Sequence, residues 1–575
     1  MLILKIKRAL GIIVILALVI DGGVPFLASM SPAVAQSSGF ESFNPELTKQ
    51  LAEIYQQKQA LTPGQRKIDS SIIRVIGNVE KQLSLREAGE RLRLQNLSTS
   101  LLRIDDTGNI EVKLTVTSLA DEKLRQLEDL GMDIGLTLPD YGVLEGSLPH
   151  SQVEAVAGLD FVVNLGLPGY PLYHTGDVSS AGDMVLRAAE ARSAFTVHGS
   201  GIKIGAISDG ITHLSDSQAS GDLPTVDVIK AGSGDEGTAM LEIVHDLAAG
   251  SPLAFYSPGT SSDMVAGIAA LEASGCKIII DDILWSDEPK FEDGPIALEA
   301  RQFITNGGVY VSSAGNSAQR HYMGTYVRGE EVTVSTGGND YDYYAHDYGS
   351  GDIGNTFTVP NGGTIVTLLQ WNNQRGLSRD DFDLFLITGS TILNYSWNQQ
   401  DGDDNPFEGF IWTNNTGGPV TVYIVVLEWS LVNPPSSLVL DYHVWYGSGL
   451  QYTVPENSVI GHSAVEEVLS TAAAGVGTPH TIESFSSHGP ATVYFPTYEN
   501  RQVPNITGVD GVHTKTGELG HFVDPFYGTS ASAPHVAAIA ALIWEADPTL
   551  TSSEVFNAIT STAVDLGPAG WDDTW

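Results

Sequence analysis

The stretch 528–541, GTSASAPHVAAIAA, constrains the fold of this 575-residue chain more than any other. Its side chains are nearly all small, so a helix formed here can cross a crowded interior. Gly528 permits a close backbone approach, and Ser530 falls on the first turn of the predicted helix. Capping alone would explain a serine at a helix start, but it does not require a proline and a histidine among small residues. We therefore predict a buried helix that presents the Ser530 hydroxyl at its start.

Two upstream segments are typical of short buried strands that end at a polar side chain. Residues 201–210, GIKIGAISDG, lead to Asp209, and residues 307–317, GGVYVSSAGNS, lead to Asn316. Open α/β sheets place their chemistry at the carboxyl ends of the strands. Each segment alone is also ordinary turn chemistry. Together and in this order, they predict that Asp209 and Asn316 lie near Ser530.

These three segments resemble the Asp, Asn and Ser motifs of the subtilisin-like serine peptidases, and the likeness extends over about residues 195–325 and 455–575. The resemblance implies an α/β fold with a parallel sheet. It also implies that Ser530 is the nucleophile and that Asp209 is a catalytic acid. Asn316 and the Ser530 backbone N–H would stabilise the oxyanion.

The chain departs from that family at the general base. Residues 235–246, DEGTAMLEIVHD, match the family's histidine segment but carry Glu236 where the histidine should stand. This resembles the sedolisins, relatives in which a glutamate is the base. Sedolisins also have an aspartate one turn along, where this chain has Met240, and an acid in the oxyanion hole, where it has Asn316. We therefore expect Asp209 to support Glu236 and to share a proton with it.

Three histidines are alternatives for the base. His213 follows Asp209 by four residues in a predicted loop, and it is the reserve candidate. His245 is turned by about 180° from Glu236 on a helix of 100° per residue, and His535 suits a structural role in the serine helix. A different hypothesis is that loss of the histidine left an inactive, secreted peptide-binding protein. Retention of the Ser, Asp and Asn positions favours the enzyme.

The N-terminus predicts export. Basic residues within 5–8 precede an apolar run at 9–20, and Ala33-Val34-Ala35 forms a cleavage site, so residues 1–35 are typical of a secretory signal peptide. We expect a secreted, periplasmic or extracellular protein that is not inserted in a membrane once the signal is removed. Cys276 is the only cysteine, which excludes an internal disulfide.

Residues 36–176 are predicted to form a propeptide-like region. Between residues 108 and 165 the pattern gives the order β-α-β-β-α-β, which is typical of a ferredoxin-like α+β unit. It resembles the prodomain with which subtilisin-like enzymes assist their own folding and inhibit themselves. An unrelated accessory domain is the alternative.

The predicted peptidase domain has two parts, 177–330 and 451–575, because residues 331–450 read as short strands separated by turns. That pattern predicts an inserted all-β sandwich, similar to the jelly-roll domains of some subtilisin-like peptidases. Its acidic residues could hold a structural calcium ion, although an acidic loop without a metal is an equal alternative; they are Asp401, Asp403, Asp404 and Glu408. The proposed chemistry requires no cofactor.

The chain is strongly acidic, with a formal net charge of −40 that lies mainly after residue 200. Binding of nucleic acid requires a basic face, so the partners we expect are protein or peptide substrates. We expect a monomer. Subtilisin-like relatives usually continue into a Gly-rich closing turn, whereas this sequence ends abruptly at 571–575, WDDTW.

Overall fold

The computed structural model describes residues 40, 42–87, 97–99, 101–105, 107–172, 181–336, 339–445 and 449–574. The expected signal peptide, 1–35, lies outside these residues. In the part of the chain that is described, no helix is both long and apolar enough to cross a bilayer.

An N-terminal unit comes first. Its elements are α1 (Pro45–Gln59), α2 (Ser70–Glu87), β1 (Asn109–Val116), α3 (Asp121–Asp129), β2 (Asp133–Leu138), β3 (Val143–Pro149), α4 (Val153–Ala157), β4 (Val162–Gly166) and β5 (Pro171–Leu172). Strands β1 to β4 form one antiparallel sheet in the order β2-β3-β1-β4. Side chains of β1 alternate between buried and half-buried, as the sequence pattern requires. Gly142, with φ of +63°, makes the turn between β2 and β3.

The first part of the peptidase unit alternates strands and helices. Its elements are α5 (Gly182–Val185), α6 (Ala188–Phe195), β6 (Ile204–Ile207), α7 (Leu214–Ser220), β7 (Val226–Lys230), α8 (Glu236–Leu247), β8 (Leu253–Tyr256), α9 (Ser261–Ala273), β9 (Ile278–Asp281), β10 (Leu284–Trp285), α10 (Pro295–Thr305) and β11 (Val309–Ser313). Strand β10 pairs with β5 of the N-terminal unit.

Two antiparallel sheets follow. Their strands are β12 (His321–Thr325), β13 (Arg328–Thr336), β14 (Asn339–His346), β15 (Asn355–Val359), β16 (Thr364–Trp371), β17 (Asp381–Thr388), β18 (Thr391–Ser396), β19 (Phe407–Thr413), β20 (Val420–Ser430) and β21 (Val439–Trp445). One sheet contains β12, β21, β16 and β19, and the other contains the remaining strands. Side chains such as Leu369 and Leu384 join both sheets in one core. The first strand begins at His321, earlier than the expected boundary at 331.

The chain then returns to the peptidase unit with β22 (Leu469–Gly475), β23 (Ala491–Val493), β24 (Glu499–Arg501), β25 (Ile506–Asp510), α11 (Lys515–Glu518), α12 (Thr529–Ala546) and α13 (Ser552–Thr562). Seven parallel strands form its central sheet, in the order β25-β22-β11-β9-β6-β8-β7. Helix α12 is buried along nearly its whole length, as its small side chains predict, and contacts α8, β22 and β25.

Candidate active site

Asp209 follows β6 at the carboxyl edge of the parallel sheet, as predicted. Its Oδ1 accepts a hydrogen bond from the Gly237 N–H at 3.2 Å, on the first turn of α8. Its Oδ2 lies against Gly234, where a Cβ atom would approach to 1.9 Å, so a side chain at 234 would displace the carboxyl. Burial raises the pKa of Asp209 to about 6, against the lowering effect of the backbone amides.

Glu236 is the first residue of α8, and its carboxyl is completely buried. Burial and then the neighbouring Asp282 and Asp209 raise its pKa well above the usual range, whereas the Ser530 hydroxyl lowers it. Among the described residues, neither carboxylate oxygen has a hydrogen-bond partner of normal geometry. Glu236 is thus a buried acid that is close to the predicted nucleophile and surrounded by other acids.

Ser530 lies on the first turn of α12 and is 0% exposed. Its Oγ makes no hydrogen bond to the residues that the structure describes. Catalytic hydrogen bonds are often long before substrate binds, so the closeness of Ser530 to Glu236 is compatible with proton transfer.

Asn316 is fixed through its acceptor atom. Its Oδ1 accepts hydrogen bonds from the backbone N–H and the hydroxyl of Thr529, both at 3.1 Å. Its Nδ2 lies beside the Cα of Gly528, which has φ of +104°. Nδ2, the donor atom of this amide, therefore lies close to the start of α12, the helix that carries Ser530.

Three histidines were considered as alternatives for the base, and two of them have recorded partners away from Ser530. His213 pairs with Asp235, with 2.6 Å between Nδ1 and Oδ2, and stacks on His521. Burial lowers the pKa of His245 and lowers that of His535 to about 4. His535 Nδ1 lies 2.7 Å from the Ala531 carbonyl oxygen within its own helix. None of the three has a recorded hydrogen bond to Ser530 in the described part of the chain.

A model of the subtilase family, Peptidase_S8, matches residues 256–574, more than half of the sequence. The chain belongs to the subtilase family. The matched range includes Asn316 and Ser530. Asp209 and Glu236 lie before the matched range.

Solved structures of low identity also resemble this subtilase. The CspB protease of Clostridium perfringens is 14% identical, with a TM-score of 0.46, and the match covers 68% of this chain and 94% of that one. A cold-adapted subtilisin-like serine proteinase is 10% identical, with a TM-score of 0.32, and the match covers 66% and 88%. No curated protein matches the chain.

Sequence reasoning missed Asp282, which directly follows β9. The β6–β9 register places Ile207 opposite Asp281, so Ser208 and Asp282 come next to each other. The Ser208 hydroxyl donates to Asp282 Oδ2 at 3.1 Å. Two consecutive carboxyls at the end of an apolar strand were the available signal, because that strand ends at the same sheet edge as Asp209.

The acidic cluster of the two-sheet unit is smaller than predicted. Carboxylate oxygens of Asp401, Asp403 and Asp404 lie within 4.8 Å of one another and could hold a hard cation. Glu408 is not in this group: it is fully buried, and the charges of Asp383 and Lys58 act on it. A separate cavity of about 360 Å³ lies between the N-terminal unit, the two-sheet unit and Asp287, and Ser530 does not line it.

Proposed function

We propose that this subtilase is a secreted serine endopeptidase that hydrolyses peptide bonds through an acyl-enzyme on Ser530. Glu236 takes the Ser530 proton as general base and later returns it to the leaving amine. The observation that carries this proposal is the position of Glu236. Its buried carboxyl is near enough to the Ser530 hydroxyl for the serine to lower its pKa.

Asp209 supports the base from the opposite side. Because it accepts a hydrogen bond from the α8 backbone at Gly237, it ties the start of this helix to the end of β6. Its charge also acts on Glu236 and favours retention of a proton within the group of acids. Asn316 and the Ser530 backbone N–H stabilise the oxyanion, and the chemistry uses no cofactor.

The N-terminal unit acts as an inhibitory propeptide in this proposal. Its last described strand pairs antiparallel with β10, so that Leu172 lies opposite Leu284, two residues after Asp282. The unit also contacts the peptidase through Lys113 and Asp287, whose Nζ and Oδ2 are 2.6 Å apart. Complete burial of Ser530 in the full chain supports a zymogen.

Ser530→Ala tests the nucleophile. It should abolish hydrolysis of unfolded casein and labelling by a fluorophosphonate, because loss of a catalytic serine costs on the order of a million-fold in rate. Circular dichroism checks that the variant stays folded, and Ser532→Ala is the matched control for a buried serine in the same helix. Full activity of Ser530→Ala would exclude this nucleophile. An inactive, unlabelled wild type would favour the peptide-binding alternative.

Glu236→Gln tests the base. Glutamine keeps the shape but cannot accept the proton, so turnover should fall as far as in Ser530→Ala. In the wild type the base must be ionised, and burial raises the pKa of Glu236 well above the usual carboxyl value of about 4, so activity should fall as pH drops through that raised pKa. Near wild-type turnover of Glu236→Gln, together with loss in His213→Ala or His245→Ala, would identify a histidine base instead.

A further inference from the structure

Asp282 is a second buried acid at the same site. It is 1% exposed and lies at the end of β9, whereas Glu236 is 0% exposed at the start of α8. The two carboxyls are close enough for each to affect the protonation of the other. Asp282 therefore faces the proposed base from the central sheet.

The carboxylate oxygens that lack a hydrogen-bond partner indicate where a proton lies. Asp282 Oδ2 accepts from Ser208, but Asp282 Oδ1 has no partner among the described residues, and neither has either oxygen of Glu236. Two ionised carboxylates offer only acceptors to each other, which is costly in a buried site. One proton placed between them converts two unsatisfied acceptors into a hydrogen bond.

The other charged groups around the pair do not supply a cation. Asp209, after β6, is itself an acid and accepts hydrogen bonds from backbone N–H groups. Asp235, before α8, is turned toward His213 and Thr238. Asp281, beside Asp282, pairs with His462, with 2.9 Å between Oδ1 and Nε2. Helix α12 contributes the neutral Ser530. Among the described residues, none of these groups gives a hydrogen-bond partner to either Glu236 oxygen or to Asp282 Oδ1.

We propose that Asp282 holds the shared proton on Oδ1 and donates it as a hydrogen bond to the Glu236 carboxylate, thereby positioning this base toward Ser530. The inference rests on the proposed function and makes Asp282 a positioning residue. Glu236 must be ionised to take the serine proton, so the retained proton belongs on Asp282. Asp209 then supports the helix start, and the direct carboxyl partner of the base comes from β9.

The test compares Asp282→Asn with Asp282→Ala in the processed enzyme. Asparagine mimics a protonated aspartate because its Nδ2 can donate to Glu236, whereas alanine cannot. We expect Asp282→Asn to keep kcat within about tenfold of the wild type, and Asp282→Ala to lose about a hundredfold, a typical contribution of a positioned base. A loss in Asp282→Asn as large as that in Asp282→Ala would show that Asp282 works as a charge and would overturn the proposal.

Asp281→Asn is the matched control, since Asp281 is an adjacent and equally buried carboxyl of the same strand. It should lower the melting temperature and, because the Asp281 charge raises the pKa of Asp282, move the alkaline limb of the kcat/KM profile to lower pH without removing it. Asp282→Asn, in contrast, should lose the alkaline limb that reports release of the shared proton. An unaltered profile in Asp282→Asn contradicts the shared proton while the proposed function stands. Failure of Ser530 labelling in the wild type contradicts the function itself.

A second measurement needs no activity. In full-length protein carrying Ser530→Ala, melting temperatures are recorded from about pH 4 to pH 8 with and without Asp282→Asn. Burial favours the protonated form of the Glu236–Asp282 pair in the folded state. The Ser530→Ala protein should therefore lose stability as pH rises above the ordinary carboxyl pKa of about 4. The protein that also carries Asp282→Asn should lose less stability over this range. The difference in melting temperature between the two proteins should therefore grow with pH. A constant difference would overturn the shared proton.

Discussion

The side-chain amide of Asn316 is held in one orientation by Thr529. Both recorded hydrogen bonds to its side chain end on Oδ1, and both come from Thr529, the residue before the nucleophile. The amide plane is therefore held from the acceptor side and only Nδ2 is available to a substrate. Thr529 Oγ1 also accepts from the Gly315 N–H at 3.1 Å, so the turn after β11 and the start of α12 are joined.

Replacement of Asn316 by alanine should lower kcat by about a hundredfold to a thousandfold, the usual effect of removing an oxyanion-hole donor, with little change in KM. Thr529→Val should have a smaller effect in the same direction, because it keeps the backbone N–H but removes the hydroxyl. Steady-state kinetics on a peptide substrate measure both. Asn306→Ala, at an exposed helix end, is the control. Equal kcat in Asn316→Ala and the control would remove Asn316 from the mechanism.

Sequence reasoning about single residues places a residue in the fold where that residue lies in a continuous motif. Asp209, Asn316 and Ser530 each follow or begin an element whose pattern is clear, and the structure brings them to the same sheet edge. Asp282 could not be found in this way. Its contact with Glu236 depends on the parallel register of β6 and β9 and on the position of α8, which no local pattern specifies.

At the scale of elements, helix α1 has an unexpected location. Its apolar face, with Leu47, Leu51 and Tyr55, packs on the sheet of the two-sheet unit that contains β13, β14 and β17. At the end of α1, Lys58 Nζ lies 2.8 Å from Asp381 and 2.7 Å from Asp383 in a completely buried position. No local pattern in the sequence specifies which surface covers the apolar face of this helix.

Lys58→Met should detach or weaken this helix. It leaves Asp381 and Asp383 buried without their cation, and breaking a buried pair typically costs about 3–5 kcal/mol. Burial raises the pKa of Asp381 to about 7, against the effect of Lys58, and also raises that of Asp383. The acids are protonated below those values, so the loss of stability should be larger at pH 8 than at pH 5.

The measurement is thermal unfolding of the Ser530→Ala full chain with and without Lys58→Met at both pH values. Lys49→Met, at an exposed position of the same helix, is the matched control and should change the melting temperature little. A loss that is independent of pH would mean that Lys58 contributes by packing rather than by its charge.

At the scale of the whole molecule, the insertion leaves the catalytic sheet intact. The chain leaves β11 and enters the two-sheet unit through β12, and it leaves that unit through β21, which pairs with β12. The entry and exit points are therefore adjacent, so β11 and β22 still pair directly, with Val311 opposite Leu469. Strand patterns and turns in the sequence indicate the strands of the two-sheet unit, but β12, which begins at His321, carries no apolar alternation that would indicate it.

We expect proteolytic cleavage between the N-terminal unit and the peptidase unit. Leu172 and Gly182 each lie against an element that carries a residue of the candidate site. Leu172 pairs with Leu284, two residues after Asp282. A Cβ atom at Gly182 would lie 2.0 Å from Nε2 of His535, which is on the same helix as Ser530. Purified wild-type protein should therefore shorten on standing or acidification, with a new N-terminus after Leu172 and no later than Gly182. N-terminal sequencing locates the cut, and fluorophosphonate labelling should become faster after it, because Ser530 is buried in the full chain.

Ser530→Ala should stay full length, and adding processed wild type to it separates cutting within one molecule from cutting between molecules. A wild type that hydrolyses casein while remaining full length would contradict the propeptide role and leave the nucleophile assignment untouched.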